Sequence, residues 1–291
     1  MANLDSLSYR ANLNVFEYPE SLRRENDERR IILYDDHRTI LNVLYVAMHE
    51  GLFGEEIPNV ISFDRHDDAV NLTSKKKQQI KALKKGCFPN RNDKRIWQFT
   101  EFELSVLDDD WVRAGMEMGV IKHYIGFEHK AEDASNIDSG YESYKSLDKQ
   151  IHHIYSNGHL DWELGPRGVI GDVRYGYAQK RADIINDLQF HNGHFDNDTV
   201  VPFVFDIDLD CFTDKIEDHR MAWPDGIFLE HYHFQKNPDA YMFIKKLLSR
   251  SSLITICREP EFCGGVGESN RILELLDYYW FDGVLKTQRI S

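Results

Sequence analysis

Three residues of the stretch ISFDRHDDAV (61–70), Asp64, His66 and Asp68, carry metal-binding side chains at alternate positions. On a continuing strand, residues two apart point to one face, so this spacing aims two carboxylates and an imidazole at one point. A second alternating run, Asp206, Asp208 and Asp210, closes the apolar stretch VVPFVFDID and its continuation, and His37 closes a third, RIILYDDH (30–37). Carboxylates gathered at one sheet edge repel one another unless cations neutralise them. A pair of divalent ions would match Asp64, Asp68, Asp206 and Asp208. Spacing alone leaves open the alternative that 64–68 begins a loop and alternates by accident.

The elements that must position these residues follow from the hydrophobic pattern. Strands are expected at 30–37, 59–66, 120–128, 200–208 and 252–259, and helices at TILNVLYVAMHEGL (39–52), EFELSVLDDDWVRAGMEMG (101–119), AYMFIKKLLSR (240–250) and ESNRILELLDYYWF (268–281). KKKQQIKALKK (75–85) places six lysines on a helix-forming background and reads as a solvated helix face. Residues 130–200 are polar and turn-rich apart from AQKRADIINDLQF, which has amphipathic helical spacing; a lid or insertion is expected there. Alternation of strands and helices implies a three-layer α/β/α fold with a mainly parallel sheet, in one domain spanning 1–291. In such sheets ligands sit beyond the carboxyl ends of the strands, where the acids collect.

Bulk properties narrow the function classes. The 291 residues are 42% hydrophobic and 29% charged, the composition of a folding globular chain. A formal charge of -14 argues against nucleic acid as a partner and favours a cationic substrate. Cys87, Cys211, Cys257 and Cys263 form no CxxC pair and suit free thiols in a reducing compartment. No signal peptide or membrane-length apolar run is evident, so a cytoplasmic location without membrane association is expected.

The motifs DRHDD (64–68) and FDIDLD (205–210) resemble the Asp-x-His-x-Asp and Asp-x-Asp signatures of the arginase, agmatinase and deacetylase superfamily. With LYDDH and DDDWVRAGMEMG, the style is closest to peptide arginases, which convert arginine residues of ribosomally made precursor peptides to ornithine. The resemblance implies an arginase/deacetylase-like fold and a binuclear centre. In it Asp64 and Asp206 would bridge two ions, His37 and Asp68 would complete one shell, and His66 and Asp208 the other. The chain departs from the pattern at Tyr34-Asp35-Asp36, where ureohydrolases carry Gly-Gly, and at Leu209-Asp210-Cys211-Phe212, where theirs continues to Asp-Pro. It also has no histidine shortly after Asp68 to match the family's proton shuttle.

Guanidinium is a poor electrophile, and divalent ions activate the water that must attack it. An oxygen-rich shell with two imidazoles suits two Mn²⁺ ions, with zinc or another divalent ion as the alternative. The cationic substrate also needs a carboxylate opposite the ions. Glu259, in LITICREPE at the end of the last strand, resembles the guanidinium-binding glutamate of the ureohydrolases in its placement, and Glu261 is the nearby alternate. Gly264-Gly265-Val266-Gly267 reads as a turn. The implied partner is an arginine-containing precursor peptide, with homo-oligomerisation left open. The competing readings are a ureohydrolase of free arginine or agmatine, a metal-dependent deacetylase, and a noncatalytic peptide-binding protein.

Overall fold

The computed structural model describes Leu4, Leu7 and residues 13–25, 27–66, 68–105, 110–129, 140–144, 149–156, 202–216, 219–236 and 238–286. The principal sheet has eight strands: β1 (Asn14–Glu17), β2 (Arg30–Tyr34), β3 (Asn59–Asp64), β4 (Tyr124–His129), β5 (Gly140–Tyr144), β6 (Lys149–Ser156), β7 (Phe203–Asp208) and a last strand at Leu253–Cys257. A two-stranded ribbon, β8 (Thr213–Ile216) with β9 (His219–Ala222), intervenes, so the last strand is β10. The order is β1-β2-β10-β7-β3-β4-β6-β5, with β1 and β5 antiparallel at the two edges and the six strands between them parallel. The central strands RIILY, NVISFD, FVFDID and LITIC are near-continuous apolar runs because both faces of a parallel sheet are covered.

Helices α1 (Ile40–His49), α2 (Ser74–Cys87), α3 (Asp93–Glu103) and α4 (Trp111–Met118) cover one face, packing with Ile32, Val60, Tyr124 and Val204. Helices α5 (Asp225–Tyr232), α6 (Pro238–Arg250) and α7 (Val266–Trp280) cover the other, against Ile31, Phe63, Phe205 and Ile256. The sheet is thus sandwiched between helices, as the alternation of elements predicts. None of the described helices is long and apolar enough to cross a membrane.

Several boundaries differ from the sequence pattern. Strand β2 ends at Tyr34, and His37 opens a 3₁₀ turn, His37–Thr39. Strand β3 ends at Asp64, so His66 and Asp68 lie in the loop beyond it, and Asp68 takes a left-handed φ of 42°. Period-two alternation therefore does not aim these three side chains at one point; the loop does. The stretch 101–119 is not one helix: residues 101–103 end α3, which begins at Asp93, and Trp111 opens α4. The polar segment after 130 contributes β5 and β6; the rest of the expected lid, including AQKRADIINDLQF, lies outside the described residues. The lysine helix exposes most of its lysines, and Lys75, Lys76 and Lys77 pair with Glu103, Asp110 and Glu117, fastening α2 to its neighbours.

The direction of the connections creates a crevice. Strands β2 and β3 lead into helices on the α1–α4 face, whereas β7 and β10, which lie between them, lead into helices on the other. Loops leaving neighbouring strands to opposite faces open a cleft at the carboxyl ends, the usual ligand position in such sheets. The loop after β10 is held by Gly264, at φ +91°, where a Cβ would lie 2.0 Å from the carbonyl oxygen of Arg220 on β9. Gly264→Ala should destabilise the protein by more than ~1 kcal/mol, through the positive φ and the backbone clash together. Thermal melting checks this, with a fall of roughly 2–4 °C for each kcal/mol.

Candidate metal centre

The crevice is built in two rows. In the lower row Ser62 of β3, Asp206 of β7 and Thr255 of β10 are direct cross-strand partners. In the upper row Asp208 pairs in register with Cys257, and Cys257 with Tyr34 of β2, while Asp64 ends β3 beside Glu128. One residue's spacing along a strand is reversed by the pleat, so two residues' spacing stacks these rows on the same face.

Above the upper row the loops add His37, His66, Asp68, Asp210 and Glu259. His37 is fully buried, with Nε2 2.8 Å from Asp206 Oδ2. Its Nδ1 lies 3.0 Å from Asp68 Oδ2, 3.2 Å from Asp208 Oδ2 and 3.4 Å from Asp64 Oδ2. The indole of Trp111 packs on His37 with ring centroids 4.7 Å apart, and its Nε1–H donates to Asp68 Oδ2. His66 Nδ1 is 3.3 Å from Asp210 Oδ2, and its side chain, 39% exposed, forms the solvent edge of the cluster. Among the described residues, donor atoms fall into three groups, each within 4.8 Å: His37, Asp64 and Asp208; Asp64, His66 and Asp210; Asp208, Asp210 and Glu259. Asp64, Asp208 and Asp210 each belong to two groups, so adjacent ions could share them.

The oxygens facing this space take few donors from the protein. Asp64 Oδ1 accepts from the His66 amide (2.7 Å) and Asp208 Oδ1 from the Asp210 amide (3.2 Å). Asp64 Oδ2, Asp208 Oδ2 and both Asp210 oxygens are buried and accept no hydrogen bond from any described residue. Burial, reinforced by Asp68 and Asp208, pushes the Asp64 carboxyl well above the usual range. Burial and then Asp208 push Asp210 up to about 7, and the same two causes raise Glu259 well above its ordinary value. Burial also opposes the charge on His37, yet Asp206 and the surrounding carboxylates raise its pKa well above that of a free imidazole. Burial would raise Asp68 too, but His37 and the Trp111 N–H hold it below. Arg220 Nη1 lies 3.8 Å from Asp210 Oδ2, beyond hydrogen-bond distance, and buried acid oxygens that accept no hydrogen bond, bordered by two imidazoles, fit divalent cations in oxygen-rich coordination.

All six residues expected as ligands, His37, Asp64, His66, Asp68, Asp206 and Asp208, lie in or directly beneath this cluster. Both oxygens of Asp206, the expected bridge, are engaged by Tyr34, His37, Ser62 and Thr255, and Asp210 lies beside His66 in the cluster above. Glu259 is buried at the rim of the cluster, while Glu261 is exposed and lines an adjoining pocket of about 560 Å³ with Asp35, Asp36, Arg38 and Phe262. Trp111, Tyr34, Ser62 and Thr255 were not singled out by the sequence patterns. Register with the Asp206 position was the signal for Ser62 and Thr255, and it requires the strand order. The side chains of His152 and His153 and the residues His159, His191 and His194 lie outside the described residues. No protein-family model matches the chain, and no curated protein matches its sequence.

The raised Asp64, Asp210 and Glu259 carboxyls bind protons more tightly folded than unfolded, so their contribution is complete below the unfolded carboxylate range, near pH 4. It is lost as pH rises through the folded values, about 7 for Asp210. Chelated protein should therefore melt lower at pH 8 than at pH 5.5, and a divalent ion should restore stability chiefly at pH 8. An ion supplied at a hundred times its Kd adds about 2.7 kcal/mol. Asp210→Asn should flatten both the pH dependence and the ion effect in the same melts.

Proposed function

We propose that the chain is a binuclear-metal hydrolase that converts arginine residues of a peptide to ornithine with release of urea. The observation that carries this reading is the buried, donor-poor carboxylate cluster of Asp64, Asp208 and Asp210 with Glu259 at its edge. His37, Asp64, Asp68 and Asp208 would hold one ion, and Asp64, His66, Asp208 and Asp210 the second. The oxygen-rich donor set favours Mn²⁺, and a bound ion pair supplies Lewis-acid activation of water at neutral pH. The mainly parallel sheet with its ligands at the carboxyl ends supports an arginase/deacetylase-like fold for the same reading.

The remaining roles belong to side chains. Glu259 would hold the substrate guanidinium opposite the ions through charge-assisted hydrogen bonds. Its backbone, at φ 34°, is fixed by the amides of Phe262 (2.9 Å) and Cys263 (3.0 Å), which donate to its carbonyl oxygen. That loop keeps the carboxylate turned into the crevice. In the adjoining pocket Asp36 pairs with Arg38 and Asp35 with Arg258, which leaves Glu261 as the exposed acid that would meet a cationic chain approaching from solvent. Water adds to the guanidinium carbon, the bond from that carbon to the side-chain nitrogen breaks, and the nitrogen leaves as the protonated amine of ornithine. We place this reaction in the cytoplasm, where the four buried thiols would remain reduced.

Purified protein should contain two divalent ions per chain, and with Mn²⁺ it should release urea from an arginine-containing peptide, which loses CH₂N₂ in mass. Presenting free arginine, agmatine and an acetyl-lysine peptide in parallel separates the substrate classes, and loss of an acetyl group in place of urea would assign a deacetylase. Glu259→Gln should lower kcat/KM about 10- to 100-fold, the loss of a charge-assisted contact of ~1.5–3 kcal/mol, while elemental analysis finds the metal content unchanged.

A further inference from the structure

Asp206 lies beneath the cluster and differs from every acid above it. Its Oδ2 is 2.8 Å from His37 Nε2 and accepts from Ser62 Oγ at 2.7 Å; its Oδ1 accepts from Thr255 Oγ1 at 2.6 Å and from Tyr34 OH at 3.3 Å. All five residues are buried. A carboxylate offers about four lone-pair sites, and these four donors take them. Turning either oxygen upward to an ion would strand buried hydroxyls on β3 and β10, the strands that flank Asp206 in register.

His37 is the group that this network constrains. A neutral imidazole donates from one nitrogen and accepts at the other. With Nε2–H given to Asp206, the Nδ1 lone pair is directed at the space bordered by Asp64, Asp68 and Asp208, whose oxygens lie 3.0–3.4 Å away. We infer that Asp206 is a positioning residue which fixes the tautomer and ring orientation of His37 for metal binding, and is itself no ligand. This rests on the proposed binuclear site. The Ser62, Thr255 and Tyr34 hydroxyls lock the carboxylate, the carboxylate locks the imidazole, and Trp111 closes the ring's other side.

Titration with Mn²⁺, read from the loss of the free-ion electron paramagnetic resonance signal, tests this on the full chain and on three variants. Wild type should take up two ions. Asp206→Asn should still take up two, one of them about 10- to 100-fold more weakly, the usual cost of losing a ligand histidine's outer partner. Thr255→Val, which leaves Asp206 in place with one donor fewer, should weaken the same ion in the same direction by less, and its near-identical shape guards against a folding defect. Asp208→Asn, lacking a ligand carboxylate, should lose an ion. An Asp206→Asn isotherm saturating at one ion, like that of Asp208→Asn, would make Asp206 a ligand and overturn the inference. An isotherm unchanged from wild type would make it a bystander. Wild type that takes up no Mn²⁺ would overturn the binuclear reading and the inference with it, whereas two ions in wild type leave the first standing whatever the variants show.

Discussion

Like charges in a dry interior repel more strongly than in water, because the surrounding dielectric no longer screens them. Asp64, Asp208, Asp210 and Glu259 are all buried and lie in overlapping groups only 4.8 Å wide. Folding alone gives no return for such an arrangement. An ordinary core would place apolar residues there, as Phe63 and Ile207 do on the opposite face of the same strands. The acids are tolerable when protons or cations share the space; His37 and Arg220 lie beside them, and the inner oxygens accept few hydrogen bonds from the described residues.

The sheet supplies the rigidity that holds these charges together. Strands β2, β10, β7 and β3 are adjacent, and their connections leave for opposite faces, so the side chains at their ends converge on a cleft without covering it. Two of the residues that complete the cluster, Asp68 and Glu259, take left-handed backbone conformations, which cost about 1–3 kcal/mol each and persist only where surrounding contacts over-determine them. For Asp68 those contacts are the Trp111 indole and the Val112 amide, 3.2 Å from its carbonyl oxygen. For Glu259 they are the amides of the turn before α7. Strain is thus localised at the loops that aim carboxylates inward, while the strands beneath remain regular.

The lower row of Ser62, Asp206 and Thr255 gives this chain a hydrogen-bonded floor under the acids. Tyr34 reaches the same carboxylate from β2, so four strands' worth of side chains meet at one residue and couple the position of His37 to the sheet itself. Arg65 turns away from the centre to the Thr213 carbonyl, 2.7 Å distant, and anchors the loop after β3 to the ribbon that follows β7. Neighbouring positions in the DRHDD motif therefore serve different ends: Arg65 ties loops together, and Asp64, His66 and Asp68 face the cleft.

Long apolar runs made β2, β3, β7 and β10 legible in the sequence, since strands covered on both faces need continuous hydrophobicity and acids at their ends stand out against it. The sheet edges were less legible: β1 and the β8–β9 ribbon are four-residue strands with mixed burial, too short to impose a period. The chemistry-bearing residue types were legible as well, and His37, Asp64, His66, Asp68, Asp206, Asp208 and Glu259 do converge. What spacing could not separate was Asp206 from Asp210, because both stand two residues from Asp208. The distinction depends on where β7 ends relative to β3 and β10: Asp206 lies level with Ser62 and Thr255, which supply hydroxyl donors, while Asp210 lies beyond the last paired residue, in a 3₁₀ turn without them. The order of residues along the chain thus determined which groups could do chemistry and near which strand ends, while strand register decided which acid is satisfied by the protein and which is left facing the cleft. Hydrogen bonds between strands are long-range in sequence and carry no local signal.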